Sequence, residues 1–334
     1  GVHMKPDGTL LLKRDEISAM LSIEECMQAV EQAFKLYAEG KVTTPGVLGI
    51  PARDGGFHIK AGMLELGRTY FACKTNANFP QNMKRFGLPL IQGVIVLCDG
   101  ESGYPLALMD SIEITIIRTG AATGVAAKYL ARTDARVATI CGCGNQGRIS
   151  LKAIAKVRDL SRAYAWDIDQ NQARPFADEL SRELNVEVAP VDDLAAAVGE
   201  SDICVTCTPS KEYFLKREYV SSGTFIAAVG ADSEDKQELD PVLIGSNTVV
   251  VDLLEQCTII GELHHALKQG LLTKQDVHAE LGEIVTGKKA GRISEEEIII
   301  FDSTGTALQD VAAAAIVYER AVSAGIGSVI NLAE

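Results

Sequence analysis

Four side chains stand where residue type and surroundings alone suggest chemistry. Lys74 lies in Tyr70-Phe-Ala-Cys-Lys-Thr-Asn-Ala-Asn78, an apolar strand-like run ahead of a polar loop. A lysine there reads either as a chain snorkelling to solvent or as a desolvated amine fit for acid/base work. Lys60, in Phe57-His-Ile-Lys-Ala-Gly62, shares that situation, with His58 two residues back on the same strand face. A solvated strand face is the competing reading. Arg118 is the only charge between Glu113 and Lys128. An arginine in such a segment must find an anion, and its planar fork suits a carboxylate, either a substrate's or the protein's own. Asp232 follows the strand-like Thr224-Phe-Ile-Ala-Ala-Val229 in the loop Gly230-Ala-Asp-Ser-Glu-Asp-Lys-Gln-Glu-Leu239. The carboxyl ends of parallel strands open toward a ligand crevice, so an acid there suits proton transfer, with a loop acid or helix cap as the alternative.

The strongest motif is a glycine turn. Val137-Ala-Thr-Ile-Cys141 is a short apolar, β-branched run, and Gly142, Gly144 and Gly147 follow at GxGxxG spacing. Beyond them Ile149, Leu151, Ile154 and Val157 recur at helical intervals. This is the strand–turn–helix of a dinucleotide-binding unit. Gly142 allows the tight turn, Gly144 lets backbone approach a pyrophosphate, and Gly147 allows close helix–strand packing. About twenty residues past Gly147, a second strand-like run ends at Asp167, placed to grip ribose hydroxyls, with Asp169 just beyond. Acids there, with no adjacent arginine, repel a 2′-phosphate, so the expected cofactor is NAD(H) rather than NADP(H).

The elements that must position these groups fall into two patterns. Up to about residue 110 the chain reads as strand-like Thr9–Leu12, a short helix from Arg14 to Leu21, and a helix capped by Ser22 and Glu25 that ends at Gly40. Strands around Val47–Ile50, Phe57–Lys60, Tyr70–Asn76 and Gln92–Leu97 follow, and a turn at Asp99–Pro105 pairs Leu106–Met109 back. Strands without intervening helices predict a mixed or antiparallel sheet. A helical stretch from Ser111 to Arg132 then leads into βα alternation, with strands near 137–142, 162–168, 186–190, 202–207, 224–229 and 247–252. That alternation predicts an α/β, Rossmann-type doubly wound parallel sheet. A late strand ends at Asp302, Ser303 is the expected N-cap, and a final helix is expected from Thr304 to about Ala324. The expected organisation is a discontinuous α+β substrate-binding and dimerisation domain of residues 5–118 and 304–334 around a Rossmann domain of residues 119–303.

Bulk properties restrict the partners. A length of 334 residues suits about two domains, and 47% hydrophobic with 23% charged residues is globular. The net charge of −13 argues against nucleic acid and anionic membrane surfaces, so any anionic ligand must be met by a few local cations. No apolar run approaches the roughly 20 residues of a membrane helix, and no signal peptide is expected. Gly1-Val-His-Met4 reads as a remnant ahead of a native methionine. Eight cysteines, mostly inside apolar runs, read as reduced residues of a cytoplasmic protein. The Cys204/Cys207 pair sits in an apparent strand that turns its side chains to opposite faces, and His264, His265 and His278 match no zinc spacing, so no metal is expected.

Taken together, the chain resembles the ornithine cyclodeaminase/μ-crystallin family, which also contains archaeal-type alanine dehydrogenase and imine (ketimine) reductases. The resemblance runs through Lys74 and the Asn-rich loop after it, Ser102-Gly-Tyr-Pro-Leu, Arg118-Thr-Gly-Ala-Ala, Gly142-Cys-Gly-Asn-Gln-Gly147, Thr206-Cys-Thr-Pro, Val229-Gly-Ala-Asp232 with Lys236-Gln-Glu-Leu, Gly261-Glu-Leu, and Phe301-Asp-Ser-Thr-Gly305. It implies that Lys74 is the active-site lysine and Asp232 the acid/base. It implies that Arg118 is a carboxylate clamp, with Lys60 as a second cation, and a homodimer formed through the first domains. Arg118, Thr119, Asn145, Gln146, Asp167, Thr206, Val229 and Ser303 would touch NAD. The expected reaction is NAD(H)-dependent reduction of a small α-imino acid, or oxidation of the amino acid. Lys60 and nearby Arg85 leave room for a dicarboxylate, iminosuccinate to L-aspartate. Cyclodeaminases carry Asn-Gly-His after the lysine's strand, where this sequence reads Asn76-Ala-Asn-Phe-Pro80. Deaminating cyclisation of ornithine, or crystallin-like binding of a nucleotide and a small ligand without turnover, are the alternatives.

Overall fold

The computed structural model describes residues 7–334; the Gly1–Met4 remnant and the first two residues of the expected first domain lie outside them. In chain order the strands are β1 (Thr9–Leu12), β2 (Gly46–Ala52), β3 (Gly55–Leu66), β4 (Arg68–Asn78), β5 (Ile91–Asp99), β6 (Pro105–Asp110), β7 (Val137–Cys141), β8 (Arg162–Trp166), β9 (Glu187–Pro190), β10 (Ile203–Thr206), β11 (Phe225–Ala228), β12 (Thr248–Val251), β13 (Ala279–Glu280), β14 (Ile299–Asp302) and β15 (Ser328–Ile330). Two compact units result. One takes the chain up to Arg118 and again from Thr306, and the other runs from Thr119 to Gly305.

The first unit is built on a seven-stranded sheet of order β15-β1-β6-β5-β4-β3-β2, antiparallel except where β1 lies parallel to β6. Its longest pairing is the β3–β4 hairpin, turned at Gly67, whose φ of +78° suits a residue without Cβ. In β4 the period of two sends Tyr70, Ala72 and Lys74 inward. The hairpin register sets Lys60 directly opposite Lys74, on the same face. Two like charges so placed repel, so the register demands a nearby anion. The helix Ala307–Ala324 packs on β3 and β4, and Gly62 makes room, because a Cβ there would sit 3.2 Å from Ala307 Cβ and Leu308 Cδ2.

The second unit is an eight-stranded, wholly parallel sheet of order β13-β12-β14-β11-β10-β7-β8-β9. β10, β11 and β14 are buried at every residue, which explains why they read as unbroken apolar runs rather than alternating ones. From β7 the chain winds outward through β8 and β9 and returns to β10 on the other side of β7. That reversal makes the carboxyl ends of β7 and β10 the topological switch point, where open α/β sheets bind ligands. The doubly wound Rossmann-type fold and the mixed sheet are as the sequence predicts.

One expected cap is corrected. The final helix begins at Ala307 rather than Thr304, with Thr306 before it, and Ser303 is not its cap. The Ser303 N–H donates to the Ala228 carbonyl at 2.9 Å, and the N–H groups of Thr304 and Gly305 donate to Asp252 at 2.8 and 2.7 Å. These bonds hold the chain extended beyond β14 until Gly305, at φ +81°, lets it turn.

Candidate active site

In the first unit Lys74 is 3% exposed and its Nζ has two partners, Thr115 Oγ1 and Asp310 Oδ1, each at 3.1 Å. Thr115 spends its hydroxyl proton on the Ser111 carbonyl at 2.7 Å, so toward Lys74 it can only accept. Both partners therefore take N–H bonds, and one position on the amine remains, an N–H when charged and a lone pair when neutral. Burial, aided by Arg118 and Lys60 and opposed by Asp310, lowers Lys74 to about 7. An amine at that value can give or take a proton near neutrality.

Asp310 holds the cluster together. Its Oδ1 also accepts Arg118 Nε at 2.9 Å, and Arg118 Nη1 donates to Gln309 Oε1 at 3.1 Å. Burial alone would raise the Asp310 carboxyl, but Arg118, Lys74 and Lys60 outweigh it and hold it low. Asp310 Oδ2 and Gln309 Nε2 are buried without a hydrogen-bond partner. A buried polar atom without a partner is costly, so this cluster is poised to take up a polar ligand. The structural-ion-pair reading of Arg118 is the one the geometry shows, with Nε committed to Asp310 and Nη1 to Gln309.

The second unit presents the glycine turn, with each glycine in a different predicament. Gly142 has φ +108°, and a Cβ there would lie 2.7 Å from the Cys207 carbonyl oxygen beyond β10. A Cβ at Gly147 would lie 2.1 Å from the Gly142 oxygen, so the helix Asn145–Val157 can seat on the turn only without one. At Gly144, the N-cap, a Cβ meets nothing within 4 Å and no side chain caps the helix. That open, uncapped N-terminus suits a phosphate. Gln146 Oε1 and Ser303 Oγ are buried without partners. Asp167 accepts the Cys143 N–H and the Asp169 N–H, each at 2.9 Å, while Asp169 caps the next helix by accepting from Asn171 at 3.0 Å. The Val229 N–H donates to the Thr206 carbonyl at 2.8 Å at the ends of β11 and β10, and Thr119 opens this unit. Asp232 pairs with Lys236 at 2.8 Å, its side chain 54% exposed.

Residues 8–325 match the ornithine cyclodeaminase/mu-crystallin family. The chain belongs to this family. Three solved members resemble it closely. An archaeal alanine dehydrogenase dimer with bound NAD is 40% identical, with a TM-score of 0.93 over 97% of this chain and 99% of that one. The Δ1-pyrroline-2-carboxylate reductase of Thermococcus litoralis, in complex with NADH and L-proline, is 36% identical at TM-score 0.91 over 96% and 100%. The iminosuccinate reductase of Paracoccus denitrificans, in complex with NAD+, is 30% identical at TM-score 0.89 over 97% and 100%.

The chain engages the other singled-out residues differently. Arg85 bonds Asp54 at 2.7 Å with its side chain 50% exposed, so its guanidinium is engaged there and not by Asp310. The histidines serve backbone: His265 Nε2 meets the Lys236 carbonyl at 2.7 Å and His278 Nε2 the Ala290 carbonyl at 2.6 Å. Cys204 lies 4.0 Å from Cys141, sulfur to sulfur, while Cys207 stands past the strand end and donates to carbonyls, so the CxxC thiols have separate partners. All eight cysteines are free. Asp310, Gln309 and Thr115 escape a reading that considers cations alone. Asp310 had a signal: it is the only charge between Asp302 and Glu319, in an alanine-rich run that must be buried.

Proposed function

We propose that the protein is an NAD(H)-dependent imino-acid reductase, equally an amino-acid dehydrogenase in reverse, acting on a small α-imino acid. The buried amine of Lys74 carries this reading, held by two acceptors with one position left over and brought near neutral pKa by its surroundings. The names of the solved relatives support it: each acts on an amino or imino acid, and each was crystallised with NAD or NADH.

Reducing an imine takes a hydride at carbon and a proton at nitrogen. Bound NADH supplies the hydride. Gly142, Gly144 and Gly147 shape the turn for its phosphates, Asn145, Gln146, Thr206, Val229 and Ser303 offer contacts, and Thr119 joins them beside Arg118. Asp167 favours NADH over NADPH, because a carboxylate facing a 2′-phosphate is repelled; Asp169 adds charge of the same sign. Arg118 binds the substrate carboxylate through the part of its fork not turned to Asp310, with Lys60 adding positive charge. Lys74 gives its proton to the imine nitrogen from the position not taken by Thr115 and Asp310. Asp232 acts as the acid/base that relays the proton. The first unit is the substrate and dimerisation domain and the second the NAD domain, in a cytoplasmic homodimer.

The finer substrate choice is a dicarboxylate, and Lys60 is the cation that supports it, since Arg85 is spent on Asp54. A spectrophotometric screen of NADH loss over α-keto acids with ammonia, plus cyclic imines, tests the whole proposal. Faster loss with oxaloacetate plus ammonia than with pyruvate plus ammonia supports the dicarboxylate; equal or slower loss overturns it. Release of ammonia and proline from ornithine at constant NADH absorbance would instead make the protein a cyclodeaminase. Lys74→Ala with undiminished turnover would remove the amine from the chemistry altogether.

A further inference from the structure

We propose that Glu238 is a positioning residue for the reaction: its carboxylate clamps the segments after β10 and β11 together and thereby fixes the loop that presents Asp232. The inference rests on Asp232 acting in proton transfer. Glu238 is fully buried, and neutral donors rather than a cation meet its carboxylate. Its Oε2 accepts the Thr208 N–H at 2.7 Å and the Thr208 hydroxyl at 2.8 Å, and its Oε1 accepts the Gly230 N–H at 2.8 Å. Thr208 lies two residues past β10, and Gly230 lies two residues past β11 and two before Asp232. The contact is made possible by glycine: a Cβ at Gly230 would stand 2.4 Å from Glu238 Oε1.

The loop from Gly230 to Glu238 is therefore closed at its base by one carboxylate and crossed in its middle by Asp232–Lys236 at 2.8 Å. The Gln237 N–H adds a bond to the Ser210 carbonyl at 3.0 Å, and His265 Nε2–H donates to the Lys236 carbonyl at 2.7 Å. Glu238 is in turn held from behind. Its own N–H donates to Glu262 Oε1 at 2.5 Å, and the N–H groups of Glu262 and Leu263 donate to Asp302 at 3.1 and 2.9 Å. Burying this acid is unfavourable, and burial pushes it up to about 7 despite the donors around it. A core that needed only volume would be served by leucine or methionine at lower cost. What a carboxylate adds is three directional acceptor contacts, all on two loops at the ligand end of the sheet. This gives Gly230, Asp232, Lys236 and Glu238 one shared reason to occur together.

Steady-state kinetics of the full-length Glu238→Gln, Asp232→Asn and double variants, with NADH and the imine found by the screen, test the proposal. Glutamine keeps the volume but turns an N–H toward a donor. The Asp232→Asn change should lower kcat about 100-fold, the ordinary scale of a lost acid/base group. Glu238→Gln should lower kcat at least about 10-fold and leave both KM values within about 3-fold, and the double variant should fall no further than about 3-fold below Asp232→Asn, because residues acting as a unit are not additive. A Glu238→Gln enzyme with kcat near that of the unsubstituted protein, beside a damaged Asp232→Asn, overturns the positioning role alone. So does a double variant whose losses multiply, or a Glu238→Gln defect expressed mainly in KM. An unimpaired Asp232→Asn instead overturns the acid/base role of Asp232 on which the inference rests. Should Glu238→Gln not fold, Thr208→Val, which removes only the hydroxyl donor, takes its place: a kcat loss of about 3-fold or more at constant KM supports the clamp, and an unchanged kcat overturns it.

Discussion

At the scale of single residues, the charge balance around Lys74 sets the protonation of its amine. Three cations, Lys60, Lys74 and Arg118, meet Asp310, and Lys74 is lowered to about 7 chiefly by burial. Below that pH the amine is charged and above it neutral. In the reducing direction, which needs a proton, kcat/KM should therefore fall as pH rises through about 7; in the oxidising direction it should fall as pH drops through the same region. Initial rates across pH 5–9 in both directions check the two signs. Asp310 is the anion that opposes this lowering. Asp310→Asn should move the reducing limb to lower pH by about 1 to 3 units, the usual effect of removing an opposite charge at contact distance. The variant should also melt earlier, because two buried cations lose their counter-ion. An unmoved limb would mean that Lys74 is not the group titrating.

At the scale of elements, the glycine turn separates packing from binding. Gly147 faces the Gly142 oxygen at a distance no Cβ tolerates, whereas Gly144 faces open space with an ordinary φ of −96°. Gly147→Ala should thus destabilise the second unit by about 1–3 kcal/mol, as overpacking does, read as a lower melting temperature. Gly144→Ala should leave the melting temperature unchanged and raise the KM for NADH by about 10-fold, since only a bound pyrophosphate would meet the new methyl. Equal KM values for Gly144→Ala and the unsubstituted protein would take the pyrophosphate away from this turn.

At the scale of the whole molecule, two properties invite measurement. The seven-stranded sheet leaves Leu48, Ile50, Phe57, Met63, Val94 and Leu108, which share the face opposite Lys74, between 37 and 53% exposed on a chain with 47% hydrophobic residues. A contiguous apolar sheet face of this kind is characteristic of an interface. Light scattering should give twice the 35.7 kDa chain mass, and Leu48→Asp with Val94→Asp should give the chain mass itself. The second property is the set of buried acids. Burial raises Glu238 and Asp302 to about 7 and Glu262 well above its usual range. For acids raised on folding, stability is complete below the unfolded value and is lost as pH rises through the folded one. The melting temperature should accordingly fall between pH 5 and 8, and Glu262→Gln should flatten that fall. The net charge of −13 acts in the same direction, so the difference between the two proteins is the quantity to compare.

The sequence by itself determined the periodic and the local. An apolar run marked Lys74 as either snorkelling or desolvated, continuous apolar runs announced the buried parallel strands, and glycine spacing announced the turn after β7, because each depends on neighbours a few residues apart. Lys74, Arg118 and Asp232 stood out as candidates because each breaks an apolar pattern or follows one. Their partners did not. Asp310 is 236 residues from Lys74 and 192 from Arg118, and a charge in an apolar helix says that it needs an opposite charge but not which one. Ser303 had the chemistry of a cap, yet β11 claimed its N–H first. Glu238 looked like one acid in an acidic loop until the fold buried it against Thr208 and Gly230. Hydrogen-bond partners distant in sequence compete for the same groups, and that competition is decided only when the strands are laid side by side.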